Sequence, residues 1–171
     1  MKYPQPTDSL IKKDRYQVFL IASPANFPFV FATHPWFVIN QKGKISRFGI
    51  ASSNRVRAPN IFGTIENQGH WEHLYKNFLP PWQGIRIFFF SWKFLWKGRL
   101  LASIEGDEGS VAQKMADFIE HSPEKYPYKD YYSLLGPNSN TYVQWVLNHF
   151  PQISMRLPWN AFGKGVKAIK I

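Results

Sequence analysis

The sequence predicts an α+β protein in which helices pack on one face of a mostly antiparallel sheet. Strand-like segments rich in β-branched and aromatic residues come first, and the clearest helical patterns follow them. The chain has 171 residues, of which 18% are aromatic, and at this length roughly 70% of the surface of the unfolded chain can be buried. We therefore expect one domain over residues 15–171, preceded by a loose lead-in over residues 1–14.

The first strands are predicted from composition and from a turn. Residues 15–22 are rich in β-branched and aromatic side chains, as is typical of a strand. Residues 29–40 and 45–52 have the same character and flank a turn at 41–44, so they predict a hairpin. The chain that follows is predicted to form an irregular segment over residues 53–69 and a short helix over residues 70–79. Two further strands are predicted over residues 85–91 and 100–106, joined by the aromatic and basic stretch 92–98.

Two longer helices are predicted in the second half of the chain. Ser110 and Gln113 fit a capping box at the start of the first helix. That helix is predicted to end at Ser122 and the proline after it. Its apolar positions share one face, namely Val111, Met115, Phe118 and Ile119. The second helix begins near Ser139 and runs to about Phe150.

The composition excludes several classes of chemistry and favours acidic partners. The chain has no cysteine, which excludes disulfides, thiolate metal sites and a cysteine nucleophile. Its formal net charge of +10 suits nucleic acid, anionic lipid head groups or polyanionic substrates, or simply keeps the protein soluble. The basic residues are scattered along the sequence rather than clustered, and this argues against nucleic acid.

The hydropathy pattern bears on location. No apolar segment follows residues 1–6, so no signal peptide is predicted. The most apolar run, residues 85–96, is interrupted by Lys93 and is too short to span a bilayer. We expect a cytoplasmic protein, or one peripheral to a membrane, that needs no cofactor.

Ser139 is the first candidate for a functional side chain. Positions 143, 146 and 150 are apolar and lie on the same helical face, so Ser139 is expected to face inward at the helix tip. A hydroxyl there can meet the free N–H groups and the positive end of the helix dipole, where nucleophiles and anion sites are often built. An ordinary N-cap serine gives the same pattern, and the spacing leaves both alternatives open.

Histidines supply the second candidate. Alternation along its strand places His34 on the same side as Trp36 and Val38. A half-buried imidazole there could meet the helix tip across the sheet face, or it could be a structural histidine of the core. His70 and His73 have the spacing of a chelating pair on a helix, but no third ligand accompanies them, and we predict no metal site.

An aromatic and basic segment, Arg86–Arg99, contains Lys93 and Lys97 among its aromatic residues. It has the composition of a core strand whose alternate residues are exposed. The same composition suits an interfacial segment in a lipid head-group layer, or a stacking platform for single-stranded nucleic acid. An anionic membrane surface is therefore a candidate partner.

Short motifs in this sequence resemble an uncharacterised bacterial family, DUF3750. The similarity is strongest over residues 125–165, and it includes Tyr126-Pro127-Tyr128, Asp130-Tyr131, Gly136-Pro137-Asn138-Ser139-Asn140-Thr141-Tyr142, Trp145-Val146, Leu157-Pro158 and Ala161-Phe162-Gly163-Lys164. The early His34-Pro35-Trp36-Phe37-Val38 also resembles the family's histidine strand. That family in turn resembles circularly permuted papain-like proteins, such as the NlpC-related amidases and the lecithin:retinol acyltransferase group.

The resemblance implies a permuted papain-like, NlpC-like architecture with a site made by Ser139 and His34. In those proteins a histidine on an early strand precedes a late helix that opens with Asn-Cys, and Asn138 and Ser139 occupy that place here. The resemblance also implies that Asn138 and Asn140 shape the turn or the oxyanion site.

Serine in the place of cysteine changes the expected chemistry. A serine must lose its proton during attack to a neutral histidine held in the right tautomer, whereas a thiol can be stored as a thiolate. The residue that orients the histidine is not fixed by the sequence; Arg47 and Ser52 are candidates by position. The function is then an acyl or amide hydrolase or acyltransferase, an inactive papain-like binding module, or a basic peripheral protein that binds anionic lipid.

Overall fold

A five-stranded antiparallel sheet forms the centre of the fold in a computed structural model of the protein. The structure describes residues 6–50, 74–77, 79–87, 95–129, 132–133 and 135–166. The strands are β1 (Tyr16–Pro24), β2 (Thr33–Gln41), β3 (Lys44–Ile50), β4 (Leu74–Lys76), β5 (Gln83–Arg86), β6 (Leu95–Lys97) and β7 (Arg99–Gly106). The helices are α1 (Val111–Glu120), α2 (Ser122–Lys125) and α3 (Ser139–Asn148), and a 3-10 helix spans Asp8–Leu10.

The strand order in the sheet is β4-β3-β2-β1-β7, and β5 pairs with β6 in a separate two-stranded sheet. The strand pairings among the described residues are antiparallel, with Leu20 opposite Phe37 and Phe37 opposite Phe48 in the central strands. The register between β1 and β7 shifts after Leu20. The predicted hairpin around residues 41–44 is therefore present, and so is the predicted class of a mostly antiparallel α+β protein.

The sheet buries both of its faces. Leu20, Phe37 and Ile39 belong to one apolar cluster, which they share with side chains of α1 and α3; we call this side the helix face. Because side chains alternate along a strand, Trp36 and Val38 point the other way, into a second cluster that includes part of the β5 region. We call that side the hairpin face, after the antiparallel pair of β5 and β6 and not after the β2–β3 hairpin. Burying a large apolar side chain completely contributes about 1.5–3 kcal/mol, so both layers stabilise the sheet.

The hairpin face is covered by the segment around β5 and β6 and by the N-terminal segment. The ring of Trp82 packs edge-on against Phe19 with centroids 5.5 Å apart, and the indole of Trp36 donates to the carbonyl of Pro81 at 2.8 Å. Leu10 and Ile11 pack against the same cluster. The loose lead-in predicted for residues 1–14 thus includes side chains that contact the core.

Helix α1 begins as predicted. The Ser110 hydroxyl accepts a hydrogen bond from the backbone N–H of Gln113 at 3.2 Å. The reciprocal half of the capping box is displaced by one residue, because the Gln113 side chain accepts from the N–H of Gly109. Met115 and Ile119 are fully buried against the helix face, as the periodicity predicts, whereas Val111, which was predicted on the same face, is 36% exposed and Ala112 is buried instead.

Three predictions of local structure were wrong. Residues 74–76, predicted as part of a helix, form β4, because the open edge of β3 offers them pairing partners. Residues 95–97, predicted as part of a connection, form β6 opposite β5. The strand predicted from residue 29 begins only at Thr33, after a loop held by the bond from the Ala25 N–H to the Ala32 carbonyl. The irregular segment predicted for residues 53–69 lies outside the described residues.

Nothing in the described part of the chain is a helix of the length and apolar character that crossing a bilayer requires.

Candidate functional site

The start of α3 is organised by Asn138 rather than by Ser139. The Oδ1 atom of Asn138 accepts from the backbone N–H groups of Asn140 at 2.9 Å and Thr141 at 3.3 Å. In return, the Thr141 hydroxyl accepts from the N–H of Asn138 at 3.1 Å, which completes a capping box. The alternative that Ser139 is the N-cap is therefore wrong. Asn138 is the cap, and Ser139 is the first residue of the helix.

Ser139 is buried, with 3% of its surface exposed. Its hydroxyl makes no hydrogen bond to any residue that the structure describes. Tyr142 and Val143, one turn further on, are buried in the cluster on the helix face. The hydroxyl thus lies at the inner end of α3, as the helical spacing predicted, and is not engaged in capping.

The C-terminal segment closes over the start of α3. The side-chain amides of Asn138 and Asn140 both donate to the carbonyl of Phe162, at 3.2 Å and 2.8 Å. The Thr141 hydroxyl donates to the carbonyl of Gly163 at 2.7 Å. The polar residues of this turn, which sequence reasoning assigned to oxyanion binding or turn shaping, hold the chain's own backbone.

His34 is buried at the beginning of β2. The β2–β3 pairing runs as far as Phe37 opposite Phe48. Beyond that pair Pro35 has no backbone N–H to donate, and the His34 ring supplies a hydrogen bond from Nε2 to the carbonyl of Ile50 at 2.9 Å. Since a carbonyl only accepts, Nε2 carries the proton. Nδ1 then holds a lone pair, is buried, and has no partner among the described residues.

The environment keeps His34 neutral. Burial, and secondarily the charge of Arg47, lowers its pKa from 6.5 to about 4. His34 is therefore an uncharged imidazole at neutral pH, with one nitrogen donating and the other able to accept. That is the protonation state a general base requires, and it is equally the state of a buried structural histidine.

Arg47 anchors the layer that covers the hairpin face. Its side chain is fully buried, its guanidinium lies 4.3 Å from the centroid of the Trp36 ring, and Nη1 donates to the carbonyls of Pro80, at 2.7 Å, and Gln83. Burial lowers its pKa to about 9. A guanidinium cannot accept from an imidazole N–H. Arg47 therefore opposes protonation of His34 and does not act as the carboxylate of a catalytic triad would.

The sheet register separates the two predicted site residues. His34 stands opposite Ser23, two positions along from the pair of Trp36 and Ile21, so it belongs to the hairpin face. Its ring lies 6.4 Å from that of Trp36. Helix α3 packs on the other side, where Tyr142 meets Phe37 with ring centroids 6.3 Å apart. The predicted pairing of His34 with Ser139 is thus not provided by the sheet, and their catalytic role stays a prediction.

Other predicted residues fall outside the described part of the chain. Ser52 is one, and the pair His70 and His73 is another. Among the residues that are described, no cluster of histidine and carboxylate side chains could hold a metal ion.

A groove beside α3 was missed by sequence reasoning. Its volume is about 380 Å³. Side chains of Tyr128, Thr141, Gln144, Trp145, Asn148 and Lys164 line it. The signal was present in the sequence, since positions 141, 144, 145 and 148 fall on one face of a helix. That face is mixed in polarity, so no apolar periodicity drew attention to it.

These features belong to an α+β protein whose late helix opens beneath its own C-terminal segment. The family DUF3750, described as a protein of unknown function, matches residues 15–166. The match covers most of the chain, and the chain belongs to this family. No curated protein and no solved structure matches it.

Proposed function

We propose that this chain is a non-catalytic binding domain on a permuted papain-like frame, and that it binds an amide-bearing ligand in the groove beside α3. Support for the frame comes from an antiparallel sheet covered by a late helix that opens with Asn138 and Ser139, and from His34 on an earlier strand. The observation that carries the non-catalytic assignment is the placement of His34 on the face of the sheet opposite α3.

The start of α3 also lacks what acyl transfer requires. An oxyanion site needs N–H groups aimed at the developing charge. The N–H groups of Asn140 and Thr141 already donate to the Asn138 side chain, and the backbone of residues 162 and 163 covers the same turn. A substrate carbonyl would have to displace both sets of bonds before Ser139 could attack it.

The groove offers groups that recognise amides. The side-chain N–H of Gln144 donates to the side-chain oxygen of Asn148 at 2.9 Å, which leaves the Gln144 side-chain carbonyl and the side-chain N–H groups of Asn148 without a partner among the described residues. Carboxamides donate and accept together, as a peptide-like group does. The rings of Tyr128 and Trp145 add an apolar wall, and no carboxylate lines the groove. A neutral ligand with an amide and a flat apolar part fits this lining.

Binding of N-acetyl amino acid methylamides, followed by chemical-shift changes in the protein, tests the proposal. Ser139→Ala should leave binding unchanged, and Gln144→Ala should weaken it about threefold to tenfold, because one hydrogen bond to the ligand is lost. Gln83→Ala removes an exposed amide outside the groove and serves as the matched control. Equal affinity of the wild type and Gln144→Ala would contradict the assignment of the groove.

A second candidate function, an acyl or amide hydrolase or acyltransferase, is favoured by one observation. Ser139 is a buried residue whose hydroxyl makes no hydrogen bond to a described residue, and His34 is neutral with an open lone pair on Nδ1. In this mechanism Ser139 attacks while His34 acts first as general base and then as general acid. It requires the two side chains to meet around the end of β2.

A fluorophosphonate probe separates the two candidates. The binding-domain proposal predicts no labelling of the wild type. If the probe labels the wild type but not Ser139→Ala, the binding-domain proposal is wrong and the hydrolase or acyltransferase takes its place.

A further inference from the structure

An exposed aromatic patch lies at one end of the sheet, and nothing in the proposed binding site uses it. We define this aromatic patch as Phe27, Val30, Phe31, Trp159 and Phe162. Trp159 is 84% exposed, Phe31 is 62% exposed and Phe27 is 52% exposed. Single exposed apolar side chains are common, but a group of large ones in two adjoining loops marks an interaction surface.

The two loops of the patch are fastened to each other. The backbone N–H of Thr33 donates to the carbonyl of Asn160 at 3.1 Å, and the Thr33 hydroxyl donates to the Asn160 side chain at 2.9 Å. The Asn160 amide donates to the carbonyl of Phe31 at 2.8 Å. The rings of Phe31 and Phe162 meet with centroids 6.1 Å apart. These bonds hold the aromatic side chains outward in one place, so little ordering is required when a partner binds.

Charge is distributed unevenly between the two ends of the sheet among the residues that the structure describes. At the far end, carboxylates are paired with basic side chains: Glu105 with Lys12, Asp107 with Arg15, and Glu108 with Lys42. Both loops of the patch come from stretches without a single carboxylate. None occurs between Asp14 and Glu66, and none follows Asp130.

Positive charge accompanies the patch within its second stretch. Arg156 and Lys164 flank Trp159 in the sequence, and the chain as a whole has a formal net charge of +10. Aromatic side chains that protrude from loops beside cations, with no nearby carboxylate in the sequence, complement an anionic lipid head-group layer.

We propose that the aromatic patch inserts into the head-group layer of an anionic bilayer and holds the protein at the membrane surface. The aromatic patch is a different surface from the segment Arg86–Arg99, whose composition suggested lipid binding as one alternative. Residues 88–94 of that segment lie outside the described structure. Trp159 and Phe31 supply the apolar contact, and the basic residues supply the attraction to the lipid charge. The proposal does not depend on the ligand of the groove.

Sedimentation with vesicles tests the proposal on the full chain. One vesicle preparation contains phosphatidylcholine alone, and the other contains phosphatidylcholine and phosphatidylserine in equal amounts. The wild type should sediment with the second preparation more than with the first, and added salt should weaken this binding. The double variant Phe31→Ser with Trp159→Ser should lose about tenfold or more in partitioning, because two exposed aromatic side chains no longer enter the interface.

Two further variants keep the test decisive. Val111→Ser removes an exposed apolar side chain at the start of α1, at the other end of the sheet, and should bind as the wild type does. If the double variant does not fold, Trp159→Ser alone replaces it, since a side chain that is 84% exposed contributes little to the core.

Three results would overturn the proposal. The first is a wild type that sediments with neither preparation, and the second is a folded patch variant that sediments as well as the wild type. The third is a wild type that forms a dimer, does not bind vesicles, and becomes monomeric when the patch is changed. That result would show that the patch binds a second copy of the chain.

Discussion

At the residue scale, His34 shows how burial decides chemistry. A strand histidine upstream of a helix that opens with serine suggested a general base. The structure places its ring beside Trp36 and Arg47, where burial and a neighbouring cation keep it neutral. Neutrality here follows from the cost of burying a charge, whether or not the residue takes part in catalysis.

His34 should make folding stability depend on pH. Its pKa is 6.5 when unfolded and about 4 when folded, so between these values the unfolded state binds more protons. Stability is therefore complete above pH 6.5 and declines as the pH falls toward 4. Urea unfolding should give a free energy about 2 kcal/mol lower at pH 5 than at pH 7. His34→Gln should flatten this difference, and an equally steep dependence in that variant would assign the effect to other groups.

Asn138 has two separable roles, as a helix cap and as a donor to the C-terminal segment. Asn138→Ala removes both and should lower the free energy of unfolding by about 1–3 kcal/mol. Asn138→Asp keeps the oxygen that accepts from the helix N–H groups but loses the donor to Phe162. It should therefore fall between the wild type and the alanine variant in a denaturant titration. An aspartate variant no better than alanine would mean that the cap contributes little.

At the scale of elements, the closure of the C-terminal segment over α3 depends on a glycine. Gly163 has φ +87°, a conformation that disfavours any side chain, and an added Cβ would lie 2.6 Å from the Asn138 amide nitrogen. The contact is possible only because the backbone of residue 163 carries no side chain. The segment and the helix cap are thus one unit.

Gly163→Ala should lower the melting temperature, with a loss of about 1–3 kcal/mol from backbone strain and displacement of Asn138. Gly165→Ala is the matched control, since a Cβ there meets nothing within 4 Å. Thermal unfolding followed by circular dichroism compares the two. A similar melting temperature for both variants would show that the segment is not held against the helix as described.

Strand pairing explains where local prediction failed. Residues 74–76 and 95–97 carry no strong periodicity of their own, and each becomes a strand because a partner strand offers its backbone groups. Helix α1 needs no such partner, because both its N-cap and its apolar face are formed by residues close together in the sequence. The role of Asn138 as the N-cap of α3 could also have been predicted from the sequence, since asparagine is as good an N-cap as serine and Thr141 completes the capping box.

At the scale of the whole molecule, one chain presents two distinct surfaces. The groove lies beside α3 and is lined by carboxamides and aromatic rings. The aromatic patch is formed by the loop that joins β1 to β2 and by residues near Trp159. The variants of Phe31 and Trp159 change no side chain that lines the groove, so amide binding and vesicle binding can be measured separately.

Local patterns in the amino-acid sequence predict the α+β class, the β2–β3 hairpin and helices α1 and α3. They also predict the inward position of Ser139 and the shared face of His34 with Trp36 and Val38. These features depend on periodicity and capping, which act over a few residues. The packing of α3 on the sheet face opposite His34 follows from long-range contacts that no local pattern specifies. Both faces of β2 are apolar, with Phe37 and Ile39 on one side and Trp36 and Val38 on the other. Alternation therefore sorts the side chains into two sets, and only long-range packing selects which set meets the helix.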